Sequence, residues 1–527
     1  MSRTEPRTGV RAVPPGDLPG VRAQLRGVAS DLAAGRNCLW LVTDAMVESG
    51  LADELYRGAL FGSPVRVDVR APAFPRAPEP DREAAEDDDR WTDDDRWADG
   101  DELPYLDLPD DGFDLDLGWS LEGRPPLVPA PRKETAGPRR DPHGLLARLA
   151  GELGVDADEA VAALVAPGRD RRPVVGIRGW TEPDDHDSGP GQGAGVGTRA
   201  RGGAVERLFR LLAAAVKDAG LPPGERPRLL VVARLRDLPE RLPDELRRGL
   251  GDTAVHWWWG ALGRLDTATA VAPILDHGPD TSGRDRDPLA ERIRRAVRSE
   301  TVVEICGPDL ELARLLALEW DGAQHTLGTA LGRCLATAPG PVPSDCPPLR
   351  RIGALLRPGA ELRQAWAAGA VVSWEGRLRA HVGVWHPAAP AAGSPPPPDG
   401  DVRARLTALV SQAQQRVLAP WIEEARQRLA VRALGHLHRP VATLVADYAD
   451  RPPAYLAGDP ERAFLELQVG ELLRAHASGA LALPPRDAGL LRLLVTTRNV
   501  LAHRSVLYDR TLDELCAELS QADLRAS

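Results

Sequence analysis

The sequence predicts a multidomain fold, α/β over its first three fifths and all-α over its last quarter. Three observations carry that prediction: short apolar runs alternate with helical patterns between residues 38 and 320, a proline run stands at 395–398, and only helical periodicity follows it. Strands separated by helices imply a parallel sheet covered on both faces, whereas helical patterns joined by short loops imply a bundle.

The first helix is expected over 21–34, where Val21, Leu25, Val28 and Leu32 recur at helical spacing before Gly35. Cys38-Leu39-Trp40-Leu41-Val42 reads as a short buried strand, followed by a loop from Thr43 to Gly50 and a helix over 51–60. Further strands are expected at Pro173–Ile177, Arg228–Ala233, Ala254–Trp259 and Val302–Ile305, with helices at 205–219, 239–250, 289–297 and 310–320. Trp257, Trp258 and Trp259 could stack on nucleic-acid bases, but a tryptophan run between apolar neighbours is expected to face a core. A helix at 358–368 and two strands, Val371–Trp374 and Leu378–Trp385, turning at Glu375-Gly376, predict a winged-helix unit within 323–392. A stiff linker at 393–400 then leads to a helical bundle over 401–527: a long helix at 402–434 bent near Pro420, then helices at 462–476, 488–507 and 512–524.

Strand, eight-residue loop and helix is the layout of a phosphate-binding loop, but Asp44-Ala45-Met46-Val47-Glu48-Ser49-Gly50-Leu51 lacks the Lys and Ser/Thr that hold phosphate and magnesium. Its two carboxylates would repel a triphosphate. The strand Leu229–Val232 resembles the Walker B strand of P-loop ATPases, yet it runs into Ala233-Arg234 with no acidic pair. Residues 14–75 and 145–322 therefore resemble an inactivated STAND-type ATPase, the signal-transducing class found in defence proteins, and no nucleotide hydrolysis is expected. A second glycine-rich stretch, Gly191 to Gly197, has Gly203-Ala204 where a phosphate loop requires Lys-Ser and reads as a flexible loop.

The chemistry concentrates at Arg498-Asn499-Val500-Leu501-Ala502-His503. Asn is used only at Asn37 and Asn499, and an Arg-Asn pair with a His five places after the Arg has a chance expectation of about 0.005 in a chain of this composition, so the motif is moderately specific. Leu490, Leu491, Leu493, Leu494, Val495, Val500 and Leu501 place it on an amphipathic helix. There the segment resembles the HEPN fold, a small helical bundle whose nuclease members carry Arg, four to six residues, then His, and pair two such helices across a dimer. The resemblance implies metal-independent cleavage of RNA by attack of the ribose 2′-hydroxyl on the adjacent phosphate. His503 would be the general acid or base, Arg498 would hold the scissile phosphate, and Asn499 would orient them. The competing reading is that Arg498 and His503 brace a non-catalytic dimerisation module. Since residues 401–527 carry 16 Arg against 15 acids, an RNA surface must come from local clustering of Arg492, Arg498, Arg504 and Arg510.

Charge and cysteine usage bound the rest. Residues 79–116 hold 18 acids and 3 Arg, so this segment contributes −15 and the remainder of the chain +4 to the total of −11. An acidic, self-repelling insertion is expected over 76–144, read as a solvated loop or as a tether for a basic surface. Five cysteines without Cys-x-x-Cys spacing, a polar N-terminal stretch and no apolar run long enough to span a bilayer lead to the expectation of a reduced, cytoplasmic protein with no membrane insertion. His436 and His438 project to different sides of a helix and cannot share an ion. Neither a cofactor nor a metal is expected. The sequence thus predicts a defence or stress-response protein, homodimeric through its C-terminal bundle, acting on RNA and controlled by an inactive nucleotide-fold scaffold. The alternative is a scaffold that holds protein partners of a defence complex.

Overall fold

The computed structural model describes residues 13–72, 144–167, 172–182, 202–249, 252–276, 287–337, 357–386, 399–450 and 458–523. The acidic insertion, the Gly191–Gly197 stretch and the proline run of the linker lie outside them. The fold is mixed α/β: a five-stranded parallel sheet together with many helices.

The sheet half runs α1 (Pro19–Ala33), β1 (Asn37–Leu41), α2 (Asp44–Glu48), α3 (Leu51–Phe61), β2 (Arg66–Asp68), α4 (Leu145–Leu153), α5 (Ala160–Val165), β3 (Val174–Arg178), α6 (Gly203–Asp218), β4 (Arg228–Ala233), α7 (Leu242–Gly249) and β5 (Thr253–Trp257). The strand order is β2-β3-β4-β1-β5, all pairs parallel. β1 is apolar and fully buried because both of its faces are covered. Gly176, in the middle of β3, is a glycine because α3 crosses there: a Cβ would stand 2.3 Å from the Tyr56 hydroxyl and 2.7 Å from Leu60 Cδ2. The register aligns Gly176 with Leu230 and Leu230 with Cys38, so these residues share the face that α1 and α3 cover. The crossover from β1 runs toward β2, while those from β3 and β4 run toward β5. With right-handed crossovers the first lies on one face and the others on the opposite face. Trp257, Trp258 and Trp259 are buried, with Trp257 edge-on to Trp366, in line with the core reading.

The chain continues through α8 (Arg264–Asp276), α9 (Pro288–Cys306), α10 (Leu310–Glu319), α11 (Gln324–Thr337), α12 (Arg363–Ala367), the hairpin β6 (Val371–Trp374) and β7 (Arg377–Ala380), and α13 (Val382–Trp385). Three local expectations need correction. Val302–Ile305 is not a strand but the last turns of α9; the run is apolar because α9 is enclosed by neighbouring helices, and a short apolar run does not distinguish a buried strand from a buried helix. The second hairpin strand stops at Ala380, since His381 Nδ1 accepts from the Gly383 amide and opens α13. Asp44–Glu48, expected as loop, forms α2. The turn at Glu375-Gly376 is as expected, both residues having positive φ as a two-residue hairpin requires.

The C-terminal helices are α14 (Asp399–Ala433), α15 (Val441–Tyr448), α16 (Pro460–Leu465), α17 (Val469–Ala477), α18 (Pro485–Ala502) and α19 (Asp509–Asp523). The single helix expected over 462–476 is two, because Gln468 and Glu471 form a capping box that starts a new helix. The bundle core draws on α14 to α19 and also on Ala290, Ile293 and Val297 of α9. The far end of the same helix, Val302 to Cys306, belongs to a second core shared with α8, α10 and α11. One helix therefore joins the bundle to the α8–α11 core. Carboxylates reinforce the joint: Glu304, 4% exposed, meets Arg264 of α8, Arg416 of α14 at 3.2 Å and Arg379 of β7 at 3.6 Å.

Candidate functional site

α18 buries Ala488, Leu490, Leu491, Leu494, Thr497 and Leu501 against the bundle. That burial fixes the opposite side as the one facing solvent. Arg492, Asn499 and His503 follow one exposed stripe, and Arg498 is exposed on the flank, about 140° round the axis from His503 at helical pitch. Among the described residues, no ion pair or side-chain hydrogen bond engages Arg492, Arg498, Asn499, His503, Arg504 or Arg510. No acidic residue lies between Asp487 and Asp509. The six residues expected to meet RNA are thus all on the surface.

The end of α18 is built tightly. His503 is its C-cap, with its amide bonded to the Asn499 carbonyl at 3.0 Å. Arg504 adopts a left-handed conformation (φ 55°), which lets the Ser505 amide reach back to the Val500 carbonyl at 3.0 Å. The following loop is clamped by Gln414, a fully buried side chain of α14 whose amide exchanges two 2.8 Å hydrogen bonds with the Leu507 backbone. Gln324 of α11 also donates to the Leu507 carbonyl, and its own amide reaches Asp509 at 3.2 Å. The motif therefore sits on a braced helix end, where the loop and backbone are held and the Arg498, Asn499 and His503 side chains are left uncommitted. The sequence showed the motif but not its braces, since Gln414 and Gln324 are remote in the chain.

A second location is set by topology. Open parallel sheets bind ligands outside the carboxyl ends of neighbouring strands whose crossovers leave to opposite faces, which here means β1 and β4. That crevice is occupied by the protein's own charges. Asp44 and Glu48 of α2 face Arg236 at 3.3 and 3.7 Å, and Arg234, which follows β4, is 4.0 Å from Asp44 and paired with Asp237 at 2.8 Å. Burial raises the Asp44 carboxyl, opposed by Arg236 and Arg234. Next along the edge, Arg178 at the end of β3 pairs with Asp53 at 2.8 Å and Asp68 at 2.7 Å and stacks on Tyr56. The arrangement reverses the charges of a nucleotide site: acids stand on α2, in the segment where a phosphate loop would lie, and arginines follow the strand where magnesium-binding acids would be. Reading the sequence identified the missing lysine and acids, but not that Arg234 and Arg236 fill the gap.

Comparison with family models, curated proteins and solved structures returns no match. Among the described residues, no helix is long and apolar enough to cross a membrane.

Proposed function

We propose that this chain is a defence or stress-response protein whose C-terminal bundle is a HEPN-type, metal-independent endoribonuclease, held by a nucleotide-fold scaffold that does not hydrolyse nucleotide. The observation that carries this reading is the free, exposed set of Arg498, Asn499 and His503 at the braced end of α18. An imidazole can give and take a proton as acid and base, and a guanidinium supplies the phosphate clamp without a metal. Because Arg498 and His503 leave one helix on different sides, a second copy facing the first is the economical way to bring both onto one phosphodiester. Dimerisation through the exposed side of α18 therefore belongs to the proposal, with Arg492, Arg504 and Arg510 extending the RNA contact. In the N-terminal half, the paired charges at the β1/β4 crevice support an inactive STAND-like scaffold. The unit formed by α12 and the β6–β7 hairpin is read as a winged helix that packs inward, since Trp374 is buried in the core below it.

The test is cleavage of single-stranded RNA by purified protein in EDTA. His503→Ala and Arg498→Ala should each lower the rate by about 100-fold or more while leaving stability within about 0.5 kcal/mol, because both side chains are exposed and unpartnered. Undiminished cleavage in both variants would exclude the assignment.

A second reading has its own support. Since α9 contributes to the bundle core and to the core it shares with α8, α10 and α11, the bundle is tied into the middle of the chain, as suits a rigid interaction platform for protein partners of a defence complex. It predicts an intact dimer that retains partners and cuts no RNA.

A further inference from the structure

We propose that Asp31, Cys38 and His256 form a site for one divalent ion of the zinc class, on the face of the sheet covered by α1. The three come from separate elements: Asp31 from the last turn of α1, Cys38 from β1 and His256 from the edge strand β5. In the β1–β5 register Cys38 pairs with Ala254 and Trp40 with His256, which puts the thiol and the imidazole on one face two positions apart. Their donor atoms and a carboxylate oxygen of Asp31 all lie within 4.8 Å of one another.

The inner geometry brings three ligand types of the zinc class to one point. His256 Nε2 is 2.9 Å from Asp31 Oδ2, and the nitrogen is buried. The other carboxylate oxygen, Oδ1, is held by Arg36 at 2.9 Å, which orients Asp31 as an outer partner orients a metal ligand. Cys38 is fully buried, and among the described residues its thiol makes one hydrogen bond, a 3.8 Å contact to the Val28 carbonyl.

On binding, the ion exchanges three of its waters for Sγ, the imidazole nitrogen and the carboxylate oxygen, and the thiol proton leaves to solvent. The Asp31 and His256 side chains keep 23% and 17% exposure, so the fourth position opens outward and holds water. Bound in this way, the ion pins α1 to β1 and to the edge strand β5.

The experiment uses the full chain stripped of metal and titrated with Co²⁺. The expected result is one equivalent bound, with a thiolate-to-cobalt charge-transfer band and the intense visible bands of a tetrahedral ion, all displaced by Zn²⁺. Zn²⁺ should also raise the melting temperature of the native protein. Cys38→Ser should abolish the charge-transfer band. His256→Gln, which keeps the thiol, should weaken cobalt binding by at least tenfold, and it decides the matter if Cys38→Ser does not fold. No charge-transfer band, a band that survives in Cys38→Ser, or equal affinity in His256→Gln would each overturn the proposal and leave an Asp31–His256 pair beside a core thiol. RNA cleavage in EDTA is a separate readout, so the metal site and the nuclease reading fail or stand independently.

Discussion

Replacing Glu304 by Leu should cost about 3 kcal/mol, and the structure says where that cost arises. Glu304 is 4% exposed and faces three guanidiniums, those of Arg264, Arg379 and Arg416. Two of the three have a second carboxylate, because Arg264 and Arg416 also pair with Glu300. Arg379 does not: its remaining recorded partner is the Ile305 carbonyl at 2.7 Å. The variant therefore leaves one largely buried cation without a counter-charge, and removing one member of a buried pair typically costs about 3–5 kcal/mol. The lower end applies because two arginines keep Glu300. Glu304→Gln, which preserves an acceptor, should cost roughly half as much. The measurement is the urea midpoint followed by tryptophan fluorescence, which reports tryptophans in all three cores, and by far-ultraviolet circular dichroism, which reports the helices. Because α9 carries the network between the two cores, both signals should shift together. The double variant Glu304→Leu/Arg379→Leu should recover at least 1 kcal/mol of the loss, since no stranded charge then remains. A loss below about 1 kcal/mol, or a double variant no better than the single one, would refute the view that this network ties the halves together.

Three further outcomes are expected. Arg504→Gly should stabilise the protein by about 1 kcal/mol by relieving a left-handed arginine, while weakening RNA binding and flattening its salt dependence; a melting scan and a binding titration at several salt concentrations read both. Asp309 caps α10 by accepting from the Leu312 amide at 2.9 Å and lies 3.1 Å from His381. Burial raises its carboxyl, but the His381 hydrogen bond and charge and the backbone amides outweigh that and hold it below the usual range. Its contribution is thus complete above the unfolded pKa of about 4 and is lost as pH falls through the lower folded value. Asp309→Asn should lose about 1 kcal/mol at pH 7 and less near pH 2, measured by urea unfolding at the two pH values. Millimolar ATP with magnesium should leave the melting temperature unchanged, because Asp44 and Glu48 stand where phosphate would have to bind; a rise of several degrees would show that the crevice opens.

Hydropathy pattern and rare-residue statistics were enough to read the parallel sheet, the buried tryptophan run, the hairpin turn and the terminal motif, because each is written in local spacing. β1, β3, β4 and β5 are short apolar runs bounded by turn residues, and the α18 motif needs only one helix to display it. β2 was not legible, being three residues with a half-exposed pattern that no periodicity marks. Val302–Ile305 was misleading for the opposite reason: complete burial erases the difference between a two-residue and a 3.6-residue repeat.

What the sequence determined by itself was therefore most of the strands and helices and the residue motif carried on one of them, since side-chain period and residue type act over a few positions. Tertiary structure alone decided which distant charges meet: Arg236 with Asp44, Glu304 with three arginines, and Asp31, Cys38 and His256 around one point. The physical reason is that electrostatic and coordinate bonds depend on distance in space, and the crossovers of a parallel sheet bring together residues separated by more than two hundred positions in the chain.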